Sequence, residues 1–250
     1  MIELIYIFFQ ILFLFIFFSN SILEFNQKLT LNSLGILDKA LINCILISNI
    51  LLLFSFTNFK DIIIFLFLLT FSILVFFIKK QDRRNNIYLF LSFIFIFIIS
   101  IDILDSLSFG WDVKNFYFLK TLNFYQNQPI SNLQNIPSPD YPHLGSYLWS
   151  FFWKYPFNLY EYHGRIFYVF IYIVSIFSFF ENFKIRNYFK IILVSLVCLI
   201  TYKYEYLNGM PEILIFSLML IASKFVIYFF DKEKKINQYE IIIVLLGITN

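Results

Sequence analysis

The chain has 250 residues, 60% of them hydrophobic, 23% aromatic and only 14% charged, with mean hydropathy +0.76 and a formal net charge of +3. A soluble domain carries about 25% charged residues and leaves much of its surface in water, so this much apolar side chain cannot be hidden inside one water-soluble core. The composition excludes a soluble enzyme, a disordered tail and a nucleic-acid binder, and the small net charge argues for no anionic partner. An integral membrane protein remains.

A helix needs about 20 apolar residues to cross the hydrocarbon, within a range of about 17–25. Uncharged runs place the spans in chain order at Leu4–Leu23, Ala40–Phe59, Ile62–Ile78 and Asn85–Ile101. Ile166–Phe180, Ile191–Tyr202 and Ile213–Phe230 follow, and a last run, Ile241–Asn250, is cut off by the end of the sequence. The first run lacks a basic leader and a small-residue cleavage site and carries Glu3, so it reads as a retained helix rather than a signal peptide. Lys224, the one charge in the seventh run, is expected to snorkel toward the nearer interface. Cys44 and Cys198 sit in apolar runs and read as small buried hydrophobes. The expected fold is all-α: a polytopic transmembrane bundle of seven full spans and one partial span.

Orientation follows from Lys and Arg. The loops 24–39, 79–86, 181–190 and 231–240 hold twelve basic residues in 44 positions, whereas 1–3, 57–61, 102–164 and 202–212 hold five in 82. The positive-inside rule puts the first set in the cytoplasm and leaves the N-terminus and the long loop 102–164 outside.

That long loop is where chemistry can reside, because spanning a membrane does not require it. It holds five of the six prolines. Asp102 and Asp105 stand just outside the fourth span, followed by Trp111, Asp112, Lys114 and Lys120. In the second half, Leu144, Leu148, Phe151, Phe152 and Tyr155 recur at helical spacing, opposite a polar stripe of Ser146, Ser150 and Lys154. This predicts an amphipathic helix lying flat on the outer leaflet, with Trp149 and Trp153 at headgroup level, Pro142 in its first turn and Pro156 at its end.

The order of motifs carries a resemblance. A span leads to Trp111–Asp112 with Lys120 nearby; Asp140–Tyr141–Pro142 opens the amphipathic helix; Glu161 and Arg165 stand at the next span, and Pro211 at the outer end of a later one. This resembles the GT-C superfamily of integral-membrane glycosyltransferases, and is similar to the group of protein O-mannosyltransferases, aminoarabinose transferases and lipid-A galacturonosyltransferases. The resemblance covers about residues 87–250, with 1–86 as an added three-span unit.

The resemblance implies an inverting transferase that moves a sugar from a polyprenyl-phosphate donor to an acceptor on the outer face. Asp112 matches the acidic residue of the first outer loop and is the expected general base, its affinity for the proton raised by burial against Trp111. Arg165, Lys114, Lys120 and Lys203 are the candidate phosphate ligands, Arg165 being suited to bidentate contact. Asp140 and His143 complete the candidate substrate contacts. Plainer roles stand beside these: Asp112 as a solvated helix cap, Asp140 as the N-cap of the amphipathic helix, His143 as polar rim, Arg165 as an interface anchor. Relatives often place an acid before the later proline, where this chain has Gly209; its acid, Glu212, follows Pro211. No metal-ligand cluster stands out, although the loop acids are able to take a divalent ion. With only six glycines there is no nucleotide-phosphate loop, in keeping with a lipid-linked donor. Relatives continue through further helices, so the remaining helices or a partner chain are expected to complete the site. A non-catalytic polytopic protein, and a flippase or transporter component, are the competing classes.

Overall fold

The computed structural model describes residues 2–19, 35–56, 61–78, 86–105, 109–181, 186–201, 209–210 and 212–230. Regular structure among them is entirely helical: α1 (Ile2–Ser19), α2 (Ile36–Ser55), α3 (Asp61–Ile78), α4 (Asn86–Asp105), α5 (Phe118–Tyr125), α6 (Leu144–Lys154), α7 (Tyr162–Glu181), α8 (Asn187–Thr201) and α9 (Glu212–Phe230). A π-helical stretch, Val113–Tyr117, runs into α5, and a 3-10 turn covers Ile130–Asn135. Within the described residues, Ile36–Ser55, Ile87–Leu104 and Tyr162–Glu181 are long and apolar enough to cross a membrane. The run Ile241–Asn250 lies outside the described residues.

The bundle is built around α7. Residues 162–178 of this helix are all buried, because α1, α2, α4, α6, α8 and α9 surround it. Aromatic rings fill the joints: Phe152 stacks on Phe167 at 4.6 Å, and Phe18 stacks on Phe170 at 5.5 Å. Large apolar side chains on the outward faces, such as Phe67, Leu199 and Ile200, remain exposed. Both cysteines are buried and free.

Three helices, α2, α7 and α8, begin four residues earlier than the uncharged runs predict. Asp38 lies inside α2, where its Oδ2 accepts a hydrogen bond from the Gly35 N–H at 3.3 Å and its Oδ1 from the Ser178 hydroxyl. Lys224 does not snorkel. Its ammonium turns inward to Asp38 and to the carbonyl and hydroxyl oxygens of Ser178, joining α2, α7 and α9 through a buried ion pair. Charge is tolerated in the bundle because each partner supplies the hydrogen bonds that lipid cannot.

The amphipathic helix also departs from expectation. α6 does not leave one face to water: residues 145–152 and Lys154 are buried against protein, with Trp149 wholly enclosed. Its polar stripe meets protein instead of water. Ser146 donates to the Tyr117 carbonyl at 3.0 Å, and Lys154 donates to Asp61 at 2.6 Å, to the Phe124 carbonyl at 2.7 Å and to Asn127 at 2.7 Å. Tyr147 reaches the other oxygen of Asp61 at 3.0 Å, so the head of α3 is clamped to both ends of α6. The helix starts at Leu144 with His143 before it, so Asp140 is not its N-cap and Pro142 precedes its first turn.

Candidate functional site

The segment 109–161 and the helix ends beneath it gather most of the candidate residues. Asp112 lies in the first turn of a helical run that becomes π over Val113–Tyr117: the Phe118 N–H bonds back to the Val113 carbonyl, five residues away. A widened turn rotates side chains relative to an α-helix, and such bulges occur often at functional sites. Here Val113 and Tyr117 point inward while Trp111, Asp112 and Lys114 stay exposed. The Tyr117 carbonyl accepts the hydroxyls of Thr121 at 2.9 Å and Ser146 at 3.0 Å, which ties the bulge to α6. Trp111 does not bury Asp112; its ring is 71% exposed and leans on Phe116 at 5.4 Å.

Lys120 is fully buried, and its ammonium is engaged by the carbonyls of Tyr141 at 2.7 Å and Pro139 at 3.4 Å, over the Tyr141 ring. It holds the 139–141 turn in place. Burial lowers its pKa, and nearby Asp140, itself exposed, opposes that shift. His143 sits edge-on to Phe56 at 5.7 Å, with its Nε2 buried and unpartnered; burial and then Lys120 push its pKa down.

Arg165 is the most constrained candidate. It is 0% exposed, and its Nε and Nη2 each donate to Glu161 at 2.9 Å, forming a bidentate pair across one helical turn. The guanidinium carbon stands 5.0 Å from the Phe109 ring centroid. Its Nη1 is buried without a hydrogen-bond partner. Burial pushes the Glu161 carboxyl up, with Arg165 and then Trp149 pulling the other way. The indole N–H of Trp149 donates to the Glu161 carbonyl at 3.4 Å, and its ring lies 5.7 Å from both Phe109 and Phe118.

Trp149 is seated by two glycines. A Cβ on Gly164 would stand 2.5 Å from Trp149 Cδ1 and still closer to its carbonyl oxygen, and a Cβ on Gly209 would stand 2.7 Å from Cη2. Gly209 also adopts φ +100°, which an L side chain rarely takes. A glycine at position 209 therefore lets the chain just ahead of α9 pack directly against Trp149. Glu212, exposed in the first turn of α9, then comes within electrostatic reach of Tyr117, as do Asp112 and Tyr141; burial first, then these neighbours, raise the Tyr117 pKa. Tyr168 is in electrostatic reach of Tyr117, Glu161 and Glu212.

The fold thus sets Tyr117 within electrostatic reach of Asp112 and Glu212, and Trp149 beside the Glu161 that clamps Arg165; the sequence pattern assigns Tyr117, Trp149 and Glu212 little or no part. It leaves Lys114 exposed and ties Lys120 to backbone. Lys203 and Pro211 lie outside the described residues. The i,i+4 spacing of Glu161 and Arg165 is a readable signal for the pair; nothing local marks Tyr117. No three His, Cys, Asp or Glu among the described residues converge as a metal site.

Chemically, the arrangement offers one unsatisfied buried cationic donor beside the Phe109 ring, and two exposed carboxylates, Asp112 and Glu212, near Tyr117. An anion oxygen suits the first, and a proton leaving a hydroxyl suits the second. The chain matches no protein-family description, no curated protein and no solved structure.

Proposed function

We propose that the chain is a membrane glycosyltransferase that transfers a sugar from a polyprenyl-phosphate donor, inverting the anomeric centre. In this reading seven helices span the bilayer fully, an eighth begins near the C-terminus, and the N-terminus and 102–164 face away from the cytoplasm. Arg165 binds a phosphate oxygen through Nη1. Asp112 takes the acceptor proton, with Glu212 across Tyr117 from it. Lys114 and Lys203 add positive charge for the lipid monophosphate, while Lys120 and Asp140 shape the turn that lies over it.

The observation that carries this reading is the unpartnered Nη1 of a fully buried arginine. Leaving such a donor empty costs about 1–3 kcal/mol, more for a charged group, so the site is built for something that accepts from it. A phosphoryl oxygen meets that need, and the surrounding Phe109, Phe118 and Trp149 rings suit the start of a prenyl chain. The test is photocrosslinking of a benzophenone-bearing polyprenyl phosphate to the chain in nanodiscs. Labelling of segment 109–168 should fall about tenfold or more in Arg165→Lys, which cannot make both the Glu161 clamp and a further contact. Equal labelling of the wild type and the variant refutes the phosphate role.

One observation favours a transporter component: the Asp38–Lys224 pair lies inside the bundle, where ionisable groups often mark a conduction path. It stands at the far end of α7 from Arg165, about 20 Å along the helix axis. Uptake of the polyprenyl-phosphate sugar into sealed vesicles without sugar release supports that reading over transfer.

A further inference from the structure

The tryptophans expected at headgroup level are taken up by protein: Trp149 is enclosed and Trp153 stacks on Tyr125 at 3.9 Å. A different set of rings faces outward. Trp111 is 71% exposed, Phe56 60% and Tyr141 45%. Contacts join them into one strip. The Trp111 ring meets Phe116 at 5.4 Å, and Phe116 meets Tyr141 at 5.3 Å; two residues on, His143 meets Phe56 edge-on at 5.7 Å. Exposed apolar side chains scattered singly need no partner, whereas a joined run of them marks an interaction surface.

The strip stands where the helices able to cross a membrane end. Phe56 directly follows Ile36–Ser55, and Phe109 and Trp111 come shortly after Ile87–Leu104. Tyr162–Glu181 starts at the same end, because Trp149, which touches Phe109 at 5.7 Å, donates to the Glu161 carbonyl. Phe56 also continues an outward face of α2, since Leu53, 70% exposed, lies one turn before it. Lipid covers such a residue on a spanning helix, and the same surface runs on to Phe56 and the rings beyond it. The side chains suit the boundary between hydrocarbon and water. Indole and phenol pair an apolar ring with a polar edge and concentrate at headgroup depth. Exposed Lys114, one turn from Trp111, complements lipid phosphates, and exposed Asp112 and Asp140 keep the margin polar. A second copy of the chain is a poorer occupant, because it would strip water from these three charges, and the centres of protein interfaces are depleted of charge.

We infer that the strip Trp111–Phe116–Tyr141–Phe56 is a docking surface for the headgroup layer of the bilayer, with Trp111 as its anchor. It seats the segment 109–143 on the lipid and holds Asp112 and Lys114 at the depth of the lipid phosphates. The inference does not depend on sugar transfer: a chain that rests on the bilayer here and transfers nothing would sink the transferase reading and leave this one standing.

The test reads tryptophan fluorescence of the full chain in phosphatidylcholine nanodiscs. Subtracting the emission of Trp111→Phe, a substitution at an exposed position, isolates the Trp111 signal from those of Trp149 and Trp153. Lipid brominated near the headgroup should remove most of that signal; lipid brominated at the chain ends, and acrylamide in the buffer, should each remove less. Tyr141→Trp in the Trp111→Phe background puts a second reporter on the strip and should show the same order. Quenching by acrylamide that exceeds quenching by either lipid puts the strip in water and overturns the inference. Resistance to all three quenchers overturns it too, since a second copy or another protein then covers the rings. Quenching strongest from the chain ends places Trp111 in the hydrocarbon and overturns it as well.

Discussion

Replacing Lys224 by Met leaves the Asp38 carboxylate wholly enclosed and without its cation, and replacing Asp38 by Asn leaves the ammonium facing a neutral amide. The side chains of Lys224 and Asp38 are 3% and 0% exposed, so neither charge can recover hydration by a small movement. Breaking a buried pair from one side costs about 3–5 kcal/mol, whereas replacing both partners by neutral groups is often nearly neutral. An amide at position 38 would still accept from the Gly35 N–H or the Ser178 hydroxyl, and a thioether chain at position 224 fills most of the lysine's volume between α2, α7 and α9. Each single variant should therefore lose about 3 kcal/mol or more, and the double variant Asp38→Asn/Lys224→Met should recover most of that. The assay is reversible SDS-driven unfolding of the full chain in mixed micelles, followed by circular dichroism. An exposed pair would couple by at most about 1 kcal/mol. If the double variant equals the sum of the singles within about 0.5 kcal/mol, the pair does not hold the bundle as described.

Gly164→Ala sets two effects against each other. Alanine in a helix interior gains about 1 kcal/mol over glycine, but the new methyl would meet the Trp149 backbone and force α6 away from α7, at about 1–3 kcal/mol or more. The net expectation is destabilisation together with a red-shifted Trp fluorescence; a more stable variant would show that Trp149 is not seated as described. His143 titrates with a lowered pKa in the folded chain, so the unfolded chain binds more protons between that value and about 6.5. Its contribution is complete above about 6.5 and is lost as pH falls below it. Between pH 7 and 5 the wild type should lose more stability than His143→Gln in the same unfolding assay; parallel profiles would place His143 in water.

The helices are legible because lipid demands long uncharged runs, and those runs lie close to the positions of α1 to α4 and α7 to α9. Their starts are not, for α2, α7 and α8. A charge marks the end of a span when water solvates it, and Asp38, His163 and Arg165 are enclosed by helices distant in sequence. The same cause hides what the polar face of α6 packs against. Its stripe is polar as the pattern says, but the groups that receive Ser146 and Lys154 come from Tyr117, Phe124 and Asp61, which no local pattern announces. Lys120 looks like a phosphate ligand for want of a visible partner; its carbonyl partners lie 19 and 21 residues on. Asp112 and Arg165 are legible as candidates from their types and order alone, whereas Tyr117 and Trp149 acquire meaning only once two loops fold together.

Transfer itself is the most direct question. The chain in proteoliposomes, given polyprenyl-phosphate mannose, aminoarabinose or galacturonic acid, should release or transfer sugar from one of them. Asp112→Asn should slow that turnover by about 10²–10⁴-fold, the usual contribution of a general base, with the unfolding profile unchanged. Turnover undiminished in Asp112→Asn, with the variant folded, would contradict the role assigned to this carboxylate. No sugar released from any of the three donors by the wild type would contradict the transferase reading as a whole.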